Sequence, residues 1–156
     1  MISEIRSGGQ TGADRAAFDA AIAVGIRIGG WVPAGRWAED GVISDSYPNL
    51  KETGSSDVSV RTQRNVEDSD GTLVVTMGRI GGGTQQTIEF AQSFEKPFLH
   101  LGPSDPDEVN LLLTWVRENK IQILNVAGPR ASEEEEIYSR VFGIVFALLM
   151  KQREET

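Results

Sequence analysis

Three strand-to-helix junctions in this sequence carry residues able to hold an anion. The first is Ser7-Gly8-Gly9-Gln10-Thr11-Gly12-Ala13-Asp14. Glycines let a backbone approach a ligand closely, and the start of the following helix offers unpaired N–H groups and positive potential. Thr11 adds a hydroxyl donor. Asp14, in the first helical turn, suits a hydrogen bond to a ribose or base edge, or simply satisfies the helix dipole. The motif is neither G-x-G-x-x-G nor a Walker A loop, for it has no lysine. The second junction, Gly81-Gly82-Gly83-Thr84, invites the same physics. The third is Asn125-Val126-Ala127-Gly128-Pro129-Arg130-Ala131-Ser132. There Arg130 either clamps a phosphate or carboxylate or stays solvated beside Glu133 to Glu136.

Two further groups suit the edge of a ring or sugar. Arg36, Glu39 and Asp40 are flanked by Trp31 and Trp37, aromatics able to stack on a flat heterocycle; the alternative is a surface loop. Arg61, Thr62 and Asn65 share one helix face, since positions i and i+4 are neighbours. An Asp57–Arg61 ion pair at the same spacing is the plainer alternative, and is worth little. Acid–base chemistry would draw on Asp14, Glu39 or Glu89. His100 is a lone histidine at a strand end and is expected to be structural. The chain has no cysteine and one histidine, so neither a thiolate nor a multi-histidine metal site is expected within it.

The elements that must position these residues alternate in type. Strand patterns fall at residues 2–6, 26–32, 72–77, 97–101 and 121–126. Helix patterns fall at 13–24, closed by Gly25; at 57–67, with Ser56 as N-cap; at 84–94; and at 105–119. Ser132 and Glu135 suggest a capping box for a last helix reaching about 151, with the acidic run 133–136 in its first turn. Residues 33–54 lack a period and read as a long loop. Repeated β-loop-α units predict one Rossmann-like domain: a three-layer sandwich whose mainly parallel sheet of about five strands has helices on both faces. In such sheets ligands bind beyond the C-terminal strand ends, which places all three glycine-bearing junctions at one edge.

Composition narrows the partners. The chain has 156 residues and a net charge of −8, with a pI of about 4.7. That balance argues against nonspecific nucleic-acid binding and against adhesion to anionic membranes. A local nest of N–H groups still binds phosphate whatever the net charge. The N-terminus reads as a strand rather than a targeting segment, and the apolar run 141–150 is too short to span a bilayer. A cytoplasmic, homo-oligomeric protein is expected, with the apolar last helix a possible interface.

Six of these motifs, in order, resemble a known family. They are Ser7 to Arg15; Gly35-Arg36-x-Ala38-Glu39-Asp40-Gly41; Arg61-Thr62-x-x-Asn65-Val66; Ser69-Asp70-Gly71-Thr72-Leu73; Gly82-Gly83-Thr84; and Leu124 to Arg130. The chain resembles the molybdenum carrier family, the circularly permuted YpsA-like branch of the SLOG superfamily, related to lysine-decarboxylase-like LOG proteins. The resemblance implies a carrier for molybdenum cofactor (molybdopterin) or for a related phosphorylated heterocycle or nucleotide. For such a ligand, phosphate contacts are expected from Gly8, Gly9, Thr11, Gly12, Gly82, Gly83 and Thr84, and ring or sugar contacts from Arg36, Asp40, Arg61 and Asn65; Ser7, Gln10, Asp14, Gly128 and Arg130 complete the expected binding set. Without thiolates, such a protein would grip the cofactor's pterin and phosphate and leave the metal on its dithiolene.

Two alternatives accompany that expectation. One is a LOG-like phosphoribohydrolase. Gly82-Gly83-Thr84-Gln85-Gln86-Thr87-Ile88-Glu89 keeps two glycines and a glutamate of that motif, but lacks its leading proline and inner Gly-Thr. The other is a nucleotide-sensing module.

Overall fold

The computed structural model describes residues 1–103 and 106–155. Its first unit is strand β1 (Glu4–Arg6), helix α1 (Ala13–Val24) and strand β2 (Arg27–Val32). Two short strands, β3 (Trp37–Ala38) and β4 (Gly41–Val42), precede β5 (Leu50–Glu52) and α2 (Val58–Glu67). Then follow β6 (Gly71–Val75), α3 (Gly82–Ser93), β7 (Phe98–Leu101), α4 (Glu108–Glu118), β8 (Ile123–Ala127) and α5 (Ile137–Glu154).

Six strands form one sheet in the order β5-β2-β1-β8-β6-β7, and every pairing in it is parallel. The register sets Ile5 opposite Ile28 on one side and Leu124 on the other. Helices α1, α4 and α5 pack together over one face, while α2 and α3 pack together over the other. The architecture is therefore the expected three-layer, Rossmann-like sandwich. Strand β6 is buried at every position, as a central parallel strand covered on both faces must be.

Alanine explains how α1 fits between the sheet and α5. Ala13, Ala16, Ala17, Ala20 and Ala21 are all fully buried, so α5 approaches the helix closely along its length. Phe18 supplies the large side chain of that layer and is fully buried; its burial contributes roughly 1.5–3 kcal/mol. Gly25 ends the helix in the left-handed conformation, φ 79°, with its N–H turned back to the carbonyl of Ile22. A side chain would be strained there.

Several sequence expectations shift. The stretch 33–54 holds the antiparallel β3–β4 hairpin and the edge strand β5, so the sheet has six strands rather than about five. Short elements joined by left-handed turns at Gly35, Arg36 and Asn49 leave too little periodicity to read. Helix α2 is capped by Asp57, not Ser56: the Asp57 carboxylate accepts the Ser59 N–H at 2.9 Å. The Ser132–Glu135 capping box does not form. Helix α5 starts at Ile137, so residues 133–136 precede it, and Ser132 donates its hydroxyl to Glu39 at 2.6 Å instead. The predicted start of α4 at Asp105 lies outside the described residues.

Candidate functional site

A cleft of about 330 Å³ opens at the C-terminal edge of the sheet, a volume within the range of small-molecule sites. It lies where chain direction reverses. From β1 the chain moves through α1 to β2 on one side, and from β6 through α3 to β7 on the other, with β8 between. Loops leaving β1 and β6 therefore diverge and leave a crevice over β8. Its walls combine Gly8, Gln10 and Asp14 from the first junction with Gly82, Gly83 and Thr84 from the second. Asn125, Gly128 and Arg130 come from the third, and Arg61 and Asn65 from α2. The three junctions thus do converge.

The first junction contributes differently from what its glycines suggest. Most of its N–H groups are spent within the loop. Those of Gly8 and Gln10 go to the Asp14 carboxylate, the latter at 3.2 Å. The Gly9 N–H goes to the Ser7 hydroxyl at 3.2 Å, and that of Thr11 to the Gln10 side chain at 3.0 Å. At the start of α1, Ala13 donates to the carbonyl of Pro129 at 3.2 Å. Gly12 has φ 79°, and a Cβ there would lie 2.6 Å from that same carbonyl oxygen. The visible role of Gly12 is to let the 129–131 segment press against α1. Ser7, Gly9, Thr11 and Gly12 shape the loop but do not line the cleft.

The second junction is open. Helix α3 begins after Gly81 with no side-chain cap, and its first internal bond is Gln85 N–H to Gly81 O at 2.9 Å. The N–H groups of Gly82, Gly83 and Thr84 have no partner among the described residues, and space is free around both glycines. Two buried polar side chains bound the same cleft. Thr84 is 6% exposed and Asn125 is 3% exposed. Asn125 spends its Nδ2 on Thr72 Oγ1 at 3.3 Å, leaving its Oδ1 without a partner among the described residues. The Thr84 hydroxyl likewise has none there.

Arg61 crosses the cleft from α2. Its guanidinium donates to Gly8 O at 2.9 Å and lies so close that a Cβ on Gly8 would come within 2.8 Å of it. Thr62 supports it from the next position, accepting from Arg61 Nε at 3.2 Å. Asn65 lines the cleft but is not free to read a ligand by its amide. Its Oδ1 accepts from Trp31 N at 2.7 Å and its Nδ2 donates to Trp31 O at 3.0 Å.

The remaining candidates hold loops together. Glu39 accepts from Thr11 Oγ1 at 2.5 Å and from both N and Oγ of Ser132, which keeps its carboxyl below the usual range. It also lies 3.5 Å from Arg130, which pairs with Glu133 at 3.2 Å. Asp40 forms a two-point pair with Arg15, and Arg36 donates to the carbonyls of Ile43 and Ser44. These contacts latch the β3–β4 hairpin onto the first and third junctions. Arg36, Glu39 and Asp40 stand outside the cleft lining, as do Trp31 and Trp37. Glu89 is exposed on α3 beside Gln85, away from the cleft, and His100 bonds Thr76 Oγ1 at 2.8 Å.

Of the three candidate carboxylates, Asp14 alone lines the cleft. It is 8% exposed, and burial pushes its pKa up to about 6 against the pull of Arg61 and Arg15. A carboxyl tuned toward neutrality in a cleft is a mark of functional sites. Asn125 and Glu133 were not singled out as ligand residues from sequence. Asn125 carried a usable signal, a polar residue inside an apolar central strand. Glu133 carried none, since an acidic run is ordinarily a solvated surface.

A family model for the circularly permutated YpsA SLOG family matches residues 5–149. The chain belongs to that family. Among solved structures it is similar to the "Putative molybdenum carrier protein" of Syntrophus aciditrophicus SB, a crystal structure at 1.45 Å resolution, with 46% identity, 95% of each chain covered and a TM-score of 0.92. No curated relative matches it. The family match spans all three junctions of the cleft, and the structural likeness extends over nearly the whole sandwich. No helix among the described residues is long and apolar enough to cross a membrane.

Proposed function

We propose that this SLOG protein is a carrier that binds a phosphorylated heterocycle, either molybdenum cofactor or a nucleotide, with the phosphate on the N-terminus of α3 between Arg61 and Arg130. The observation that carries this reading is the set of free N–H groups of Gly82, Gly83 and Thr84 in a cleft that also presents two arginines and the side chains of Asn125 and Thr84. Helix N-termini favour anions by both hydrogen bonding and dipole. A molybdenum-containing ligand is suggested by the name of the similar crystal structure, and molybdenum cofactor is the phosphorylated heterocycle of that kind. The chain has no cysteine, and among the described residues no group of three or more His, Asp or Glu is placed to share a metal ion. The hold is therefore on phosphate and pterin, with Asn125 and Thr84 facing the ring or sugar.

Isothermal titration with nucleoside monophosphates and with released molybdopterin tests this. Saturable binding to at least one is expected, and absence of binding to all would overturn the reading. A Gly82→Pro variant localises the phosphate. Gly81 is extended, φ −78° and ψ 170°, so proline at the first helical position fits and removes one N–H without breaking α3. Affinity is expected to fall about fivefold, the loss of a hydrogen bond worth about 1 kcal/mol.

The same reading includes a homo-oligomer. On α5 the rings of Tyr138, Phe142 and Phe146 stack in succession, and the first and last are more than one-third exposed. Sedimentation velocity is expected to give a mass above one chain, and Phe146→Glu to lower it; a monomer at all concentrations would remove this part of the proposal.

A further inference from the structure

We propose a second anion site, at the end of α2 remote from the cleft, where Arg6, Arg27 and Lys51 border a hollow beside Trp31 and hold a phosphate or carboxylate group of a small ligand. Strands β1, β2 and β5 leave a hollow of about 300 Å³ there, walled by Glu4, Arg6, Arg27, Trp31, Lys51 and Asp68. Side chains of β1 alternate across the sheet. Ile5 enters the core under α1, so Glu4 and Arg6 face this hollow.

The charges are unbalanced. Glu4 is shared by Arg6, which it contacts, and by Arg27 Nε at 2.9 Å. Asp68 spends its carboxylate on the indole N–H of Trp31 at 2.8 Å and its carbonyl on Arg6 at 3.2 Å. Both carboxylates are thus engaged. Among the described residues, Lys51 and Arg64 have no carboxylate within ion-pair distance. They sit instead 5.8 Å and 4.7 Å from the centre of the Trp31 ring.

Three cations in the hollow's wall, with Arg64 beside them on Trp31, therefore meet two acids on a molecule of net charge −8. Like charges held this close repel, and an anion among them removes the repulsion. The indole already carries two cations, so selection there is by charge rather than by stacking. The hollow is not an extension of the cleft. Asn65 fixes the backbone of Trp31 between them, and the hollow's walls share no residue with the cleft's.

The indole N–H of Trp31 lies in the wall, and its NMR signal is to be assigned by its loss in Trp31→Phe. Pyrophosphate and citrate are titrated separately at constant ionic strength. At least one is expected to shift the Trp31 signal saturably while those of Trp37 and Trp115 stay in place; which of the two does so tells phosphate from carboxylate. Arg27→Ala with Lys51→Ala is expected to weaken that binding about tenfold or more, as loss of charge-assisted bonds requires. Both side chains are exposed, so the fold is retained. A linear shift with both anions, a shift shared by all three indoles, or equal affinity in the double variant would overturn the proposal. None of these outcomes touches the cleft.

Discussion

Replacing Arg61 with alanine is expected to weaken binding of a phosphorylated ligand between about tenfold and a hundredfold. A hydrogen bond to a charged group contributes about 1.5–3 kcal/mol, and each 1.4 kcal/mol is tenfold in affinity. Arg61 is suited to that role because its geometry is already fixed. Its guanidinium is braced by Gly8 O and by Thr62 Oγ1, so little side-chain freedom is lost on binding. Arg61→Lys keeps the charge but not the planar fork, and is expected to recover only part of the loss. Titration calorimetry of the three proteins with the same nucleotide or with molybdopterin is the measurement. Unchanged affinity in Arg61→Ala would move the phosphate away from α2. The variant has a second consequence. Arg61 is the largest influence holding the Asp14 pKa down, so its removal should raise that pKa above its present value of about 6.

Asp14 leads to the other large effect. Its carboxyl is pushed from 3.8 up to about 6 by burial, so the folded protein holds this proton more tightly than the unfolded chain does. The contribution to stability is complete below about pH 3.8 and is lost as pH rises through about 6. The shift corresponds to about 3 kcal/mol. Asp14→Asn should therefore be more stable than the wild type above pH 6, less the one N–H bond an amide cannot accept. Melting temperature followed against pH checks this: the gap between variant and wild type should widen as pH rises through the window. A gap that is constant with pH would mean that Asp14 ionises as freely as in the unfolded chain.

Ligand binding should be linked to the same proton. An anion bound in the cleft disfavours the Asp14 carboxylate, so binding takes up a proton and affinity declines above pH 6, by up to about tenfold per pH unit. Asp14→Asn should lose that decline and keep only the dependence set by the ligand's own phosphate, which ionises at about pH 6. The same variant separates a carrier from a hydrolase. A carrier releases no free base from nucleoside monophosphates, whereas release that disappears in Asp14→Asn would assign Asp14 an acid–base role.

The layers of this fold were legible in the sequence because they rest on local chemistry. Alanine spacing in α1, Gly25 at its end and the apolar run Leu73-Val74-Val75 each specify an element without reference to the rest of the chain. Three glycine-bearing junctions at strand ends also implied one shared crevice, since parallel strands bring their C-terminal ends to a common edge. The hairpin and edge strand in 33–54 were not legible. Strands of two or three residues have no period, and they exist only because neighbours pair with them.

The division of labour among the glycine loops belonged wholly to tertiary structure. Read alone, Ser7 to Gly12 is the better phosphate cradle of the two. In the folded protein most of its N–H groups are taken by Asp14, Ser7 and Gln10, and that of Ala13 at the start of α1 by a carbonyl from residue 129 in a distant part of the chain. The plainer Gly81-Gly82-Gly83-Thr84 keeps its donors. A sequence shows which groups are capable of binding an anion; whether those groups are still free is decided by what else the fold brings within hydrogen-bonding reach.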